Sequence, residues 1–251
     1  MERITSRQNQ IVRRLRRLGR DEGYRQEQGE FVGDGVKLLE DALRCGVDVR
    51  AVLRSEDCPA LPLPDTVQEY LAPGDLADYA SSLKNCPLLF SGIIRSLSAI
   101  NPKTLLVLEG IQDPGNLGAM ARTANALEAD ALVLVGNCAG LYHPKTLRAS
   151  MGAVFRQCVY RVERDELPGF LAEKKLKLFG AALSDDAIEL SQADLRGAAV
   201  AVGSEGQGLS GELQSMCDSL IRIPMNPACQ SLNAAAAAAI LMWELRRANN
   251  G

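Results

Sequence analysis

The sequence of 251 residues contains a single histidine, His143. One imidazole excludes a multi-histidine metal site and forces any histidine-dependent catalytic dyad through that one residue. The chain also lacks paired cysteines. Its seven Cys stand at 45, 58, 86, 138, 158, 217 and 229, with no C-x-x-C spacing. An odd, scattered set argues against a disulfide framework or zinc site, so no metal is expected and reduced thiols of a cytoplasmic protein fit best. Long apolar runs are missing too. A bilayer span needs about 20 such residues, and the nearest approach, Leu232 to Trp243, is too short and half alanine. No membrane partner is expected. Arg3, Arg7, Arg13 and Arg14 precede no apolar segment, so the N-terminus does not read as a signal peptide. Gly and Pro, 22 and 11 residues, form no three-residue repeat, which excludes collagen-like and low-complexity chains. G-x-x-x-x-G-K-[ST] does not occur, and Gly110, Gly115 and Gly118 do not fit G-x-G-x-x-G, against a kinase or dehydrogenase.

What is present is ordinary globular composition, 47% apolar and 24% charged. The length holds one large or two small domains. Net charge is −3, but residues 1–20 carry seven Arg against one Glu, a net of +6, leaving −9 elsewhere. Ile11, Leu15 and Leu18 recur at helical spacing with the arginines on the other face. Little acid lies nearby in sequence. The run reads either as a solvated helix face or as a phosphate-binding surface.

The first half predicts helices over about 7–19, 35–45 and 74–83 and strands over about 48–54 and 88–94. Residues 95–103 read as a polar, Pro-containing junction. The second half predicts strands over about 105–108, 131–135, 177–183, 198–203 and 219–223. Helices are predicted over about 114–127, 144–150, 165–174, 210–217 and 231–247. Alternating strands and helices indicate a parallel sheet with helices on both faces. In such sheets ligands lie beyond the carboxyl ends of the strands. The loops 110–116, 203–209 and 224–233 are therefore the expected seats of chemistry.

Three segments carry it. In Glu109-Gly-Ile-Gln-Asp-Pro-Gly-Asn-Leu-Gly-Ala-Met-Ala-Arg, a strand ends in a Gly/Pro loop that opens a helix. Asn116 stands at this entrance as a cap or as a site residue, and Arg122 follows as a surface ion pair or an anion ligand. In Val200-Ala-Val-Gly-Ser-Glu-Gly-Gln-Gly-Leu, a buried strand runs into glycines that let a ligand approach the backbone, with Glu205 among them. In Ile221-Arg-Ile-Pro-Met-Asn-Pro-Ala-Cys-Gln-Ser-Leu-Asn-Ala, an irregular loop leads to a helix begun by Ser231 or Asn233. His143, just before Pro144, suits a capping or solvent role better than catalysis.

Together these three segments resemble the SpoU (TrmH-like) family of RNA ribose 2′-O-methyltransferases, and they span residues 105–245. Phe31-Val-Gly-Asp-Gly-Val-Lys-Leu-Leu-Glu-Asp-Ala-Leu, before them, looks like the small α/β RNA-binding domain that precedes the catalytic domain in ribosomal-RNA members. The resemblance implies an α/β protein. Its RNA substrate-binding domain would be 1–95, its linker 96–103, and its parallel-sheet methyltransferase domain 104–251 with a C-terminal trefoil knot. It implies S-adenosylmethionine held around Ala182, Gly203, Ile223 and Leu232. The family's polar site residues fall on Asn116, Arg122, Glu205, Ser231 and Asn233. Ser-Leu-Asn is followed here by Ala234-Ala235 where many members carry Val and Ser or Ala, a change of packing rather than chemistry. A cytoplasmic homodimer is implied, with the alanine-rich C-terminal helix near its interface. The implied substrate is RNA, 23S ribosomal RNA ahead of transfer RNA. The competing reading is a non-catalytic RNA-binding protein keeping the same fold.

Overall fold

The computed structural model describes residues 1–81, 86–97, 101–184, 186–226 and 228–249. They form two compact units, Met1–Arg95 with Gly140–Phe155, and Ser96–Ala139 with Arg156–Gly251.

In the first unit the chain forms β1 (Glu2–Arg3), α1 (Gln10–Arg20), α2 (Glu22–Gln28), β2 (Glu30–Asp34), α3 (Val36–Arg44), β3 (Val49–Ser55), β4 (Gln68–Ala72), α4 (Gly74–Ala80) and β5 (Leu88–Ile93). The strands make a mixed sheet in the order β1-β4-β3-β5-β2. Helix α1 starts where the Asn9 side chain accepts from the Ile11 amide at 2.9 Å. It buries Ile11, Val12, Leu15 and Leu18 against this sheet's core, each worth about 1.5–3 kcal/mol. The sequence pattern does not reveal β2 because Glu30, Gly33 and Asp34 interrupt it. All five of its residues are nonetheless buried. Glu30 pairs with Arg14 and Asp34 with Arg148, and Gly33 leaves the room taken by the Phe90 ring. Helix α2 is likewise unannounced, being polar all round. Asp21 caps it by accepting from the Tyr24 amide at 2.8 Å, and Gly29 ends it at φ +61°. Of the helix expected over 74–83, residues 82 and 83 lie outside the described residues, as do residues 98–100 of the expected linker.

The second unit begins with β6 (Thr104–Glu109), α5 (Pro114–Ala126) and β7 (Ala131–Val135). The chain then supplies α6 (Pro144–Ser150) to the first unit. It resumes with β8 (Val159–Val162), α7 (Leu167–Lys174), β9 (Lys177–Ala181), β10 (Ile188–Glu189), β11 (Ala198–Val202), α8 (Gly211–Met216), β12 (Ser219–Arg222) and α9 (Ala234–Asn249). The sheet order is β10-β12-β9-β11-β6-β7-β8, and every pairing is parallel. Strands β6, β7 and β11 are buried at every residue, which is why they read as unbroken apolar runs. Helices α5 and α9 pack together, and α9 lies on β6 and β11. Leu167, Leu171 and Leu213 from α7 and α8 pack with Leu105, Val107, Val133 and Ala201.

Residues 140–155, which the sequence pattern groups with the second half, belong to the first unit. The Phe31 ring meets Tyr142 at 5.0 Å and Phe155 at 5.6 Å. Arg95 donates to the carbonyl oxygens of Gly46 and Phe155, both at 3.1 Å. These partners lie far apart in sequence and leave no local pattern.

Candidate functional site

The carboxyl ends of β9, β11 and β12 open into a cavity of about 540 Å3. Three separate loops line it. Ala182 and Leu183 follow β9, the glycine loop Gly203–Leu209 follows β11, and Ile223, Met225, Gln230, Ser231 and Leu232 follow β12. The glycines are required by shape. A Cβ on Gly203 would sit 2.0 Å from the Gly208 backbone, and Gly208 itself has φ +66°. The loop folds back so tightly that Ser204 and Gly208 form an isolated bridge, with the Gly208 amide donating to the Ser204 carbonyl at 2.8 Å. Leu183 is 66% exposed and Leu232 36%, apolar surface turned to the cavity rather than the core. The volume and mixed lining suit an organic ligand with an apolar body and several polar groups.

All four positions expected to hold the cofactor, Ala182, Gly203, Ile223 and Leu232, line this cavity, together with Glu205 and Ser231. The remaining polar positions lie on α5 and just before α9. Asp113, not Asn116, caps α5, its side chain accepting from the Asn116 amide at 2.9 Å. The Asn116 side chain is thereby free for other partners. Asn233, not Ser231, begins α9. Its Oδ1 accepts from the amides of Ala235 at 2.9 Å and Ala236 at 3.2 Å. The predicted start of that helix at 231 is therefore three residues early, and Ser231 lies exposed in the loop. The Asn233 amide nitrogen reaches Asn116 Oδ1 at 3.5 Å, the long end of a hydrogen bond. Arg122 sits six residues beyond Asn116 on α5, about 9 Å along the axis. It is exposed, makes no hydrogen bond or ion pair among the described residues, and lines no part of the cavity. The structure thus unites six of the nine positions in the cavity, links Asn116 to Asn233, and leaves Arg122 facing solvent.

Glu109 escaped the sequence reading, although a carboxylate closing the apolar run Leu105-Leu-Val-Leu was a visible signal. It is 5% exposed and accepts from the Ser210 amide and hydroxyl, both at 2.7 Å, and from Arg164 Nε at 3.1 Å. His143 behaves as expected. Its Nδ1 accepts from the Lys145 amide at 3.1 Å and caps α6. Burial and the nearby Arg25 hold its pKa below the ordinary histidine value, which keeps that acceptor lone pair available.

The arginine run is more neutralised than its sequence suggests. Arg3 pairs with Glu56, Arg7 with Asp75 at 3.9 Å, Arg14 with Glu30 and Arg17 with Asp21 at 3.3 Å. Arg16 donates to the Tyr79 carbonyl at 2.7 Å and lies 3.9 Å over its ring. Glu30, Glu56 and Asp75 come from β2, the turn after β3 and α4, so counting neighbours in sequence overlooked them. Arg13 and Arg20 are exposed and have no such partner among the described residues. Among the described residues, no three His, Cys, Asp or Glu side chains gather as metal ligands, and no helix is long and apolar enough to cross a membrane.

A family model described as the SpoU rRNA Methylase family matches residues 103–243. The 23S rRNA (guanosine(2553)-2′-O)-methyltransferase of Bacillus subtilis is 31% identical over 98% of this chain and 100% of its own. An uncharacterized tRNA/rRNA methyltransferase of Synechocystis is 31% identical over 97% of this chain and 93% of its own. Among solved structures, an RNA 2′-O ribose methyltransferase superposes with a TM-score of 0.82 at 28% identity, covering 98% of both chains. An AdoMet-bound rRNA methyltransferase from Sinorhizobium meliloti gives 0.83 at 25% identity, covering 98% of this chain and 97% of that one.

Proposed function

This chain belongs to the SpoU rRNA methylase family, and from that premise we propose that it methylates a ribose 2′-hydroxyl of 23S ribosomal RNA. It is an RNA 2′-O-ribose methyltransferase that uses S-adenosylmethionine. The observation that carries the site assignment is the cavity shared by three loops, each from a different strand end. The fit to the cofactor is chemical. Leu183 and Leu232 offer apolar walls to a flat purine. Gly203, Gly206 and Gly208 leave backbone groups uncovered for its polar edge and ribose. The full-length likeness to a 23S rRNA enzyme supports the substrate.

S-adenosylmethionine supplies an electrophilic methyl group on a sulfonium that is already a good leaving group. The protein's task is then to hold the 2′-oxygen in line and to manage one proton, and orientation contributes several kcal/mol. Backbone groups around Ala182, Gly203, Ile223 and Leu232 hold the cofactor. Arg122 clamps the phosphate beside the target ribose and stabilises negative charge growing on the 2′-oxygen. A guanidinium with a free pKa above about 12 is a poor base, so the 2′-hydroxyl proton leaves to solvent water, with the clamped phosphate at most relaying it. Asn116 and Ser231 orient the ribose and Arg122, Glu205 holds Arg122 or the RNA, and Asn233 fixes the loop through its cap and its contact with Asn116.

The first unit takes the RNA, with Arg13 and Arg20 as the arginines of its N-terminal run that have no acidic partner among the described residues. Two copies of the chain form a cytoplasmic dimer through α9, where Ile240 and Trp243 are 38% and 55% exposed. The segment after β12 is threaded as a trefoil knot. Supporting this, β12 lies between β9 and β10, and the loops that follow β9 and β12 line one cavity.

The test is incubation with tritiated S-adenosylmethionine and separate pools of unmodified large-subunit rRNA, small-subunit rRNA and tRNA, followed by nucleoside analysis. Label in a 2′-O-methylated nucleoside of the large-subunit pool is expected. Label from tRNA alone would move the substrate, and neither label nor cofactor binding would leave a scaffold. Arg122→Ala should abolish transfer with cofactor affinity within about twofold of the parent, since Arg122 lies outside the cavity. Loss of both would refute its assigned role.

A further inference from the structure

We propose that Glu109 is a positioning residue whose buried carboxylate fixes the glycine loop 203–209, and thereby the cofactor cavity and Glu205. The inference deepens the proposed function and rests on that reading for its catalytic consequence.

Glu109 ends β6, between β11 and β7 in the middle of the parallel sheet. This is where the chain's course reverses direction across the sheet, β7 and β8 lying on one side of β6 and β11 and β9 on the other. A crevice for ligand is expected at such a place. Here it is filled from within, by Glu109, Arg164 and Ser210. The open cavity lies one strand over, at β9, β11 and β12.

A carboxylate so buried is costly unless its oxygens are satisfied. Glu109 Oε2 accepts from the Ser210 amide, and Oε1 accepts from the Ser210 hydroxyl and from Arg164. The Ser210 hydroxyl oxygen also accepts from the Leu213 amide at 3.1 Å, capping α8. Ser210 is the residue immediately after the glycine loop. Strand β11 holds the loop's first end in the centre of the sheet, and Glu109 holds its second. Between the two anchors all seven residues, Gly203 to Leu209, line the cavity. Glu205 hangs exposed at mid-loop, with no hydrogen-bond or ion-pair partner among the described residues. Its place is therefore set by the loop backbone and hence by the two anchors. Glu109 is 5% exposed and does not line the cavity, so it acts on the cofactor site through Ser210.

Glu109→Gln conserves volume, keeps one acceptor oxygen, and removes the charge that binds Arg164 and the second Ser210 bond. Ser210→Ala removes the hydroxyl alone and keeps the amide bond. In the unliganded protein, hydrogen exchange of the Gly208 amide, which donates to the Ser204 carbonyl, and of the Ser210 amide, which donates to Glu109, should rise about tenfold in Glu109→Gln, the size of one charged hydrogen bond. The amides of β7 and β11 should be unchanged. Affinity for S-adenosylmethionine by isothermal titration should fall about tenfold, with KM for the cofactor rising in step and kcat at saturation retained. Ser210→Ala should shift the same quantities less, and the double variant should be less than additive because both act on one anchor. Should Glu109→Gln fail to fold, Ser210→Ala carries the test by itself. Unchanged loop exchange in the folded variants would overturn the proposal, as would a rise spread evenly over the sheet or a fall in kcat with KM unmoved. A selective rise in a protein that binds no S-adenosylmethionine would leave the anchor standing and refute the methyltransferase reading instead.

Discussion

Asn233 uses the two ends of one amide for two tasks, its oxygen capping α9 and its nitrogen reaching Asn116. Ser231 and Asn233 are equally good cap residues on paper, so only the traced helix start frees the Ser231 hydroxyl for the site. His143 shows the same kind of decision with a pH consequence. Its cap requires an unprotonated Nδ1, and burial holds its folded pKa below the ordinary 6.5. The unfolded chain therefore takes up a proton near that value while the folded chain still resists it. The stabilisation is complete above about pH 6.5 and is lost as pH falls toward the folded pKa. His143→Asn keeps a capping acceptor without the titration. Melting measured at pH 7.5 and 5.5 should show a larger acid-induced drop in the parent than in this variant. Equal drops would assign the acid sensitivity to other groups.

At the scale of elements, the helix α6 and the turn after it are built into the first unit by an aromatic cluster and two arginines. Tyr142 stacks on Phe31 and donates its hydroxyl to the Arg95 carbonyl at 2.9 Å. Tyr142→Ala should cost about 3 kcal/mol in urea unfolding, the range for truncating a large buried aromatic. Tyr142→Phe should cost about 1 kcal/mol for the lost hydrogen bond. A loss under about 1 kcal/mol in the alanine variant would mean that the cluster does not hold the segment. The long apolar strands and the helices of the second unit were legible in the sequence because burial on both faces writes itself as composition. Strand β2 and helix α2 were not, because their polar residues pair with Arg14 and Arg148 or sit at local caps.

For the whole molecule, the stripe of Ile240 and Trp243 on α9 is the surface assigned to the partner copy. Trp243→Arg should shift the molar mass by light scattering from dimer to monomer and lower methyl transfer. A dimer that survives the double change Ile240→Glu and Trp243→Arg would place the interface elsewhere.

Three motifs in order determined the chemistry, because a strand that feeds a glycine loop or a cap must spend particular residues there whatever surrounds it. Sequence likewise determined the parallel sheet, since two-sided burial demands apolar runs. Tertiary structure decided what depends on distant partners. It neutralised most of the arginine run, gave residues 140–155 to the first unit, and chose Asp113 and Asn233 as caps. It also turned Glu109 from the end of a strand into an anchor for the loop a hundred residues away. Charge pairing and anchoring act through space, and a linear pattern records only what neighbours along the chain share.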